Sequence, residues 1–161
     1  MKKRPTKTDF IIKILGGLPK NPLIPVLLLV LGAGCEAAPE PITYGSDACH
    51  FCRMTIVDRQ HGAEMVTTKG KVFKFDAVEC MINHLRGGDV KAVAFLLVNT
   101  YSRPGELLDA TKAAYLVSEG IPSPMGEFVT AFENEFEARK AQKKYGGEVY
   151  SLEEIRNRLN N

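Results

Sequence analysis

The sequence predicts an α+β fold in which two similar strand-strand-helix-strand (ββαβ) units pack as one pseudo-duplicated globule. Residues 73–85 and 129–141 share one pattern: the end of a strand with an aromatic residue, a helix-capping residue, and a helical stretch. Two units of this size need one another to bury their sheets. The length of 161 residues, with 45% hydrophobic and 25% charged residues, is typical of one globular domain.

Residues 1–34 are predicted to be an export signal. A basic stretch precedes the apolar run 23–31, and the small residues 32–34 come immediately before Cys35. The run contains Pro25 and is too short to cross a hydrocarbon core of roughly 30 Å, as in a signal peptide. The arrangement resembles a bacterial lipoprotein signal, in which the cysteine is acylated, although Gly replaces the usual Leu three places earlier. A plain secreted form and an uncleaved anchor are the alternatives.

Residues 35–41 are predicted to be the acylated cysteine and a Pro/Ala tether, which holds the body off the membrane because prolines favour extended conformations. The predicted binding domain spans residues 42–161, with halves at about 55–100 and 106–161. Six of the 21 basic residues but one of the 19 acidic residues lie in the signal, so the body is mildly acidic. We therefore expect no nucleic-acid partner.

The first unit is predicted from hydrophobic periodicity. Residues 63–68 and 71–75 alternate like strands and are joined by a tight Lys-Gly turn. Asp76 is the predicted N-cap of a helix over residues 77–86, whose apolar residues fall on one stripe. Residues 92–98 form a continuous apolar run, which is typical of a buried strand.

The second unit repeats this order. Residues 113–118 and 127–132 are strand-like and are separated by a loop rich in Gly and Pro. An Asn-capped helix is predicted over residues 134–144, followed by a short strand over residues 148–150. The last predicted helix covers residues 151–159 and opens with a Ser-Leu-Glu-Glu capping box.

The densest group of potential metal ligands is the CxxCxM sequence at Cys49, Cys52 and Met54. If the chain is extended after Cys52, Cys52 and Met54 project to one side while Arg53 points away. Two thiolates and a thioether are soft ligands that select copper(I), whereas a thioether is a poor ligand for zinc, calcium or magnesium. The sequence therefore predicts copper(I) as the bound ion.

Three other interpretations of this motif have to be weighed. Cys49 and Cys52 could be a structural disulfide or the redox couple of a thiol–disulfide oxidoreductase, since exported thiols tend to pair. The β-branched residues that follow are a poor helix start, unlike the helix that follows a thioredoxin-type couple. Met54 could simply fill the core. A c-type haem site is excluded because Arg53 stands where the haem signature requires His.

A structural zinc site is the sharper alternative. Cys80 and His84 lie one helical turn apart, so Cys49, Cys52, Cys80 and His84 would complete a Cys3His set for tetrahedral zinc in a periplasmic interaction module. Taken alone, Cys80 is more typical of a small buried residue. His50, next to Cys49, is expected to be exposed rather than coordinating.

Two further residues are candidates for supporting roles. Met125 lies in a Pro-Met-Gly turn, where it could bind copper, form part of a lid or pack between the halves. Asp76 could also fix the orientation of a metal ligand without binding the ion itself. No Ser/His/Asp set, catalytic pair of carboxylates or phosphate-binding loop stands out, so the sequence does not predict an enzyme.

Taken together, the ordered motifs resemble the NosL family of lipoproteins, which are accessory proteins of nitrous oxide reductase. The resemblance covers nearly the whole body from residue 42 onwards. The matching motifs are Tyr44-Gly45-Ser46-Asp47-Ala48-Cys49, Cys52, Met54, Gly70-Lys71-Val72-Phe73-Lys74-Phe75-Asp76, Glu79-Cys80, Pro124-Met125-Gly126 and Ala131-Phe132.

The resemblance implies tandem ββαβ units, copper(I) binding, and delivery of copper toward the copper–sulfide centre of nitrous oxide reductase alongside an ABC-type membrane complex. It assigns the metal motif to Cys49, Cys52 and Met54, and matches Met125 to the family's Pro-Met-Gly turn. It also implies a periplasm-facing protein, lipid-anchored in the cell envelope through Cys35. A homodimer with bridging copper is compatible with these ligands.

Overall fold

The computed structural model describes residues 36–86 and 92–160, so the predicted signal and Cys35 lie outside the described residues. These ranges contain seven strands and three helices. In chain order they are β1 (Ala63–Thr67), β2 (Val72–Phe75), α1 (Val78–Leu85), β3 (Val93–Thr100), β4 (Arg103–Asp109), β5 (Ala114–Val117), β6 (Val129–Phe132), α2 (Glu135–Tyr145), β7 (Glu148–Tyr150) and α3 (Leu152–Asn160).

The strands form two antiparallel sheets, and three strands of each sheet are arranged in the same order. The first sheet has the order β2-β1-β3-β4 and the second has the order β6-β5-β7. In each unit the first strand therefore lies between the second and third strands, and the helix follows the second strand. The predicted α+β fold with tandem ββαβ units is confirmed.

One hydrophobic core joins the two units. Its buried members include Phe75 and Met81 from the first unit and Tyr115, Val129 and Ile155 from the second. Helix α1 lies at the centre, because it packs against β1 and β2 on one side and against β6 and α3 on the other. A smaller cluster around Leu116 and Phe132 packs beneath α2. Because neither sheet buries its face alone, the two units form one globule.

Strand β4 was missing from the sequence-based prediction. It pairs with β3, so the chain leaves the first sheet at Asp109 rather than at the boundary expected over residues 100–106. In the sequence, Pro104 and Gly105 indicate a turn. An edge strand nevertheless tolerates proline, because one side of the strand makes no ladder hydrogen bonds. The Gly105 N–H donates instead to the Arg59 carbonyl at 2.7 Å.

The helix starts agree with prediction in two cases out of three. Asn134 caps α2 by accepting from the Glu137 N–H at 3.0 Å, and the Ser151–Glu154 capping box opens α3. The predicted N-cap of α1 at Asp76 is wrong. The N-cap position is Ala77, which has no side-chain cap, and the Asp76 carboxyl is buried near Val57 instead.

Candidate metal centre

Cys49 and Cys52 lie on a tight loop between two short antiparallel arms. Ala48 pairs with Thr55, and the Cys49 N–H donates to the Met54 carbonyl at 2.8 Å. The chain between them makes one helical turn, closed by the Arg53 N–H on the Cys49 carbonyl at 3.1 Å. This loop brings both cysteines to the same end of the arms.

The expected extended chain after Cys52 is wrong. Arg53 has a φ of 69°, in the left-handed region that reverses the chain direction at the end of a helical turn. Strand alternation therefore does not place Cys52 and Met54 on one side of the chain. Met54 instead lies opposite Cys49 on the second arm, and residues opposite one another in an antiparallel pair project to the same face.

The loop is fastened to the free edge of β2. The His50 N–H donates to the Lys74 carbonyl at 2.8 Å, extending the sheet by one bond. The Lys74 ammonium also binds the Asp47 carboxylate at 2.8 Å, and that carboxylate caps the Thr43 N–H at 2.7 Å. These contacts hold the pKa of Asp47 below its usual value, chiefly through the hydrogen bond from Lys74.

A third cysteine completes the site. Cys80, in the first turn of α1, lies with Cys49 and Cys52 so that the three sulfur atoms are all within 4.8 Å of one another. Cys49 and Cys80 are fully buried and Cys52 is partly exposed, and all three are free thiols. One soft ion placed among them would contact three sulfur ligands at once.

The three thiols differ in their affinity for a proton. Hydrogen bonds from the Cys80 thiol and from the N–H groups of Asp76, Cys52 and Phe51 hold the pKa of Cys49 far below its ordinary value, at about 4. The pKa of Cys80 is raised, because it donates its proton to Cys49 and is buried. Burial also raises the pKa of Cys52. Of the three thiols, that of Cys49 therefore loses its proton most readily.

The role of Met54 and Met125 as ligands stays a prediction. The Met54 side chain is 56% exposed, at the open side of the loop. Met125 is partly buried and packs against the same hydrophobic core as Cys52. Phe51 and Val57 are also exposed beside the loop, so the open side of the site is apolar.

Two of the three histidines, His50 and His84, form an aromatic stack outside the sulfur cluster. The rings of His50 and His84 lie edge to face with centroids 5.0 Å apart, and both contact the ring of Phe73. Burial, followed by the nearby His84, lowers the pKa of His50. Among the described residues, the group of metal-ligating side chains found together contains the three cysteines without either histidine.

Asp76 supports the cluster through its backbone. Its N–H donates to the sulfur of Cys49, just before the N-terminus of α1, where partial positive charge favours a thiolate. Its carboxyl is 2% exposed, and burial followed by the charge of Cys49 raises its pKa. One carboxyl oxygen, Oδ1, has no hydrogen-bond partner among the described residues.

Glu79, which the sequence marked only as part of the Glu79-Cys80 motif, links the first turn of α1 to the loop that carries Met125. Glu79 is fully buried next to Cys80, and the Ser123 hydroxyl donates to its Oε1 at 2.5 Å. The Val129 N–H approaches the same oxygen at 3.4 Å. Burial raises the pKa of this carboxyl. A Glu inside the apolar stretch of a helix is the signal that could have revealed it.

A tandem ββαβ fold with three free thiols converging beneath an exposed loop defines a class of soft-metal-binding proteins. Residues 41–159 match the NosL family, and the chain belongs to that family. A copper-binding lipoprotein NosL from Stutzerimonas stutzeri is 30% identical over 148 residues, covering 83% of this chain and 78% of that protein.

The fold is also that of a solved structure, the copper chaperone NosL from Shewanella denitrificans. That structure matches with a TM-score of 0.64 and 24% identity, over 73% of this chain and 95% of the matched chain. Both relatives are named for copper and neither is named as an enzyme, in agreement with the sequence prediction. Within residues 36–86 and 92–160, no helix is long and apolar enough to cross a membrane.

Proposed function

We propose that this protein is a copper chaperone that holds copper(I) among the sulfur atoms of Cys49, Cys52 and Cys80. The observation that carries the proposal is the convergence of these three sulfur atoms within 4.8 Å of one another, with no other ligand type in the group. Thiolates and thioethers select copper(I) over the harder ions. Membership of the NosL family and the names of both relatives support the same metal.

Met54 and Met125 are proposed as thioether ligands that serve during transfer. Met54 is exposed at the open side of the loop, where it can meet an incoming ion before the buried thiols do. Cys52 is more exposed than Cys49 and Cys80, so copper would reach the Cys52 thiol next after Met54. Copper then moves by exchange between sulfur ligands, and no covalent chemistry is required of the protein.

The acceptor and location are proposed from the family resemblance. The protein would deliver copper for the copper–sulfide centre of nitrous oxide reductase, with an ABC-type membrane complex as its partner. It would do so from the periplasm-facing side of the envelope, anchored through acylated Cys35. The name of the Stutzerimonas relative, a lipoprotein, supports the anchor.

The test is an anaerobic titration of the reduced protein with copper(I) and zinc(II) against competing chelators. The variants are Cys49→Ser, Cys80→Ser, Met54→Ala and Met125→Ala, with Met65→Ala as a control because Met65 is a buried core residue in β1. Copper(I) should bind in preference to zinc. The affinity for copper(I) should fall in each site variant but not in the control. Unchanged copper affinity in both cysteine variants would contradict the proposal.

Structural zinc is the second candidate, because Cys80 does join Cys49 and Cys52. Zinc requires a fourth ligand, and His84 would have to leave its stack on His50 and Phe73 to supply it. A zinc module should lose metal in His84→Ala and be indifferent to Met54→Ala. A copper carrier should show the reverse dependence.

A further inference from the structure

Residues 36–41, the described part of the predicted Pro/Ala tether over residues 35–41, lie against the outer face of the first sheet. The Glu40 N–H donates to Glu64 Oε1 at 3.0 Å, and the Lys74 ammonium donates to the Pro41 carbonyl at 2.8 Å. Glu64 is a fully buried carboxyl in the middle of β1, and burial raises its pKa. A polar side chain placed inside the fold thus binds the backbone of the segment.

From these contacts the segment runs toward the turn between β1 and β2. A Cβ added at Gly70, in that turn, would lie 3.9 Å from the Glu36 carbonyl oxygen and 4.0 Å from Ala37 Cα. Residue 36 is joined by one peptide bond to Cys35, the predicted site of acylation. The described chain therefore begins at the turn end of the sheet, one residue after the proposed site of acylation.

The metal cluster is at the other end of the same strand. The N–H that reaches the Cys49 sulfur belongs to Asp76, which directly follows β2. Gly70 and Asp76 are six residues apart in the chain, so at about 3.3 Å per strand residue they are separated by about 20 Å. The start of the docked segment and the sulfur cluster thus lie at opposite ends of the first sheet.

The turn end also has the surface of an interfacial site. Phe95 in β3 is 39% exposed, beside the exposed Ala94, and lines a recess together with Pro39 of the docked segment. The exposed Lys69 lies in the turn itself, which is tied to β3 by the Thr68 N–H on the Ala92 carbonyl. An aromatic side chain and a lysine at the same end of a sheet suit the boundary between headgroups and acyl chains.

We propose that the turn end of the first sheet, with Lys69 and Phe95, rests on the bilayer that holds the acyl anchor, and that the Cys49–Cys52 loop faces away from it. The inference rests on the proposed acylation of Cys35 and not on the identity of the metal. The docked segment fixes this orientation, because residues 36–41 are held against the sheet rather than free to swivel.

The test uses the absence of Trp from the sequence, which makes one introduced Trp the only indole. Full-length acylated protein carrying Phe95→Trp is placed in phosphatidylcholine vesicles with or without bromine on the acyl chains, which quenches nearby indole. Val57→Trp is the matched control, because Val57 is 67% exposed beside the metal loop. Interfacial side chains reach roughly 5–10 Å into the headgroup boundary, so Phe95→Trp emission should fall about twofold.

The emission of Val57→Trp should be the same in both kinds of vesicle. Equal quenching at the two positions, or stronger quenching at Val57→Trp, overturns the proposal. A mature N-terminus without an acyl group on Cys35 also overturns it, while copper binding measured on the same preparation still tests the proposed function separately.

A second measurement tests whether the segment is docked. Hydrogen exchange of the Glu40 amide should accelerate about tenfold in Glu64→Leu, which removes the acceptor, and stay near wild type in Glu64→Gln, whose amide oxygen still accepts. Amides of β5 in the second sheet, read in the same spectra, check that the variants are folded. Unchanged Glu40 exchange in folded Glu64→Leu would show that the segment is not held, and the fixed orientation would be lost.

Discussion

The two ββαβ units place equivalent residues at equivalent positions of their ladders, yet α1 carries a cysteine of the thiol cluster and α2 does not. Phe75 lies opposite Ala63 in the first unit, and Phe132 lies opposite Ala114 in the second. In each unit the helix begins three residues after that Phe. By this correspondence Cys80 in α1 is equivalent to Glu137 in α2. Of the pair, only the first-unit residue belongs to the thiol cluster.

The two helix starts show how the units diverged. In α2 the Asn134 side chain accepts from the Glu137 N–H and caps the helix. In α1 the N-cap is Ala77, which has no side-chain cap, and the N–H of the preceding Asp76 donates to the sulfur of Cys49. The start of the first helix thus stabilises a thiolate from the metal loop, whereas the second helix caps itself.

Helices α1 and α2 also differ in how much of their surface is buried. Most residues of α1 are buried, because the helix lies between the two units, whereas in α2 the buried residue is Ala138. The position equivalent to Cys80 is therefore near solvent in the second unit. The placement of a helix, rather than the order of elements, therefore decides which copy of a duplicated unit holds the thiol cluster.

The largest expected effect is a difference in copper(I) affinity between variants at the equivalent positions 80 and 137. Cys80→Ser should weaken copper(I) binding by more than the roughly 10- to 100-fold that is typical of residues behind a metal ligand, because it removes a ligand itself. Glu137→Ser, at the equivalent place in α2, should leave the affinity unchanged. Competition titrations of both variants make the measurement. Similar losses in both would mean that the effect is one of general stability.

The second prediction concerns the thiolate at the start of α1. In the metal-free reduced protein, thiolate absorbance near 240 nm should correspond to one group at neutral pH and disappear as the pH falls through about 4. Because the pKa of Cys49 is lower in the folded protein than in the unfolded chain, its stabilising contribution is present at high pH. That contribution is lost as the pH falls toward the folded value.

Cys49→Ser should abolish this absorbance, and Cys52→Ser should retain it, since burial raises the pKa of Cys52. A neutral-pH signal that survives in Cys49→Ser would place the thiolate on another cysteine.

The third prediction concerns the contact between the units. Ser123→Ala removes the hydroxyl that donates to the buried Glu79 carboxyl, and should lower the free energy of unfolding by about 1–3 kcal/mol. Position 136 is equivalent to position 79, and Phe136 is 75% exposed, so Phe136→Ala should cost less than about 0.5 kcal/mol. Urea unfolding of both variants measures the difference. Equal costs would contradict a specific role for the Glu79–Ser123 bond.

The smallest expected effect is at the cap of α2. Asn134→Ala should lower the free energy of unfolding by about 1 kcal/mol through loss of its bond to the Glu137 N–H. Copper affinity should not change, because α2 does not contribute to the cluster. Chemical unfolding and a metal titration of the same variant check both statements. A change in affinity would show that the second helix communicates with the site.

Regular elements were largely predictable from the sequence because their signals are local. Alternation marked β1 and β2, an apolar stripe marked α1, and cap residues marked the starts of α2 and α3. Strand β4 was missed because its Pro104 and Gly105 are local turn signals, which the edge of a sheet overrides. Asp76 has the chemistry of a helix cap, but its side chain is buried elsewhere.

The sequence by itself determined the tandem architecture and the CxxC pair, since both depend on residues close together in the chain. Only the tertiary structure decided that Cys80 joins Cys49 and Cys52 while His84 stays in the aromatic stack. The number of residues between two segments of the chain does not tell how far apart those segments lie in the fold. The position of Cys80 is set instead by the packing of α1 between the two units, and that packing depends on the core as a whole.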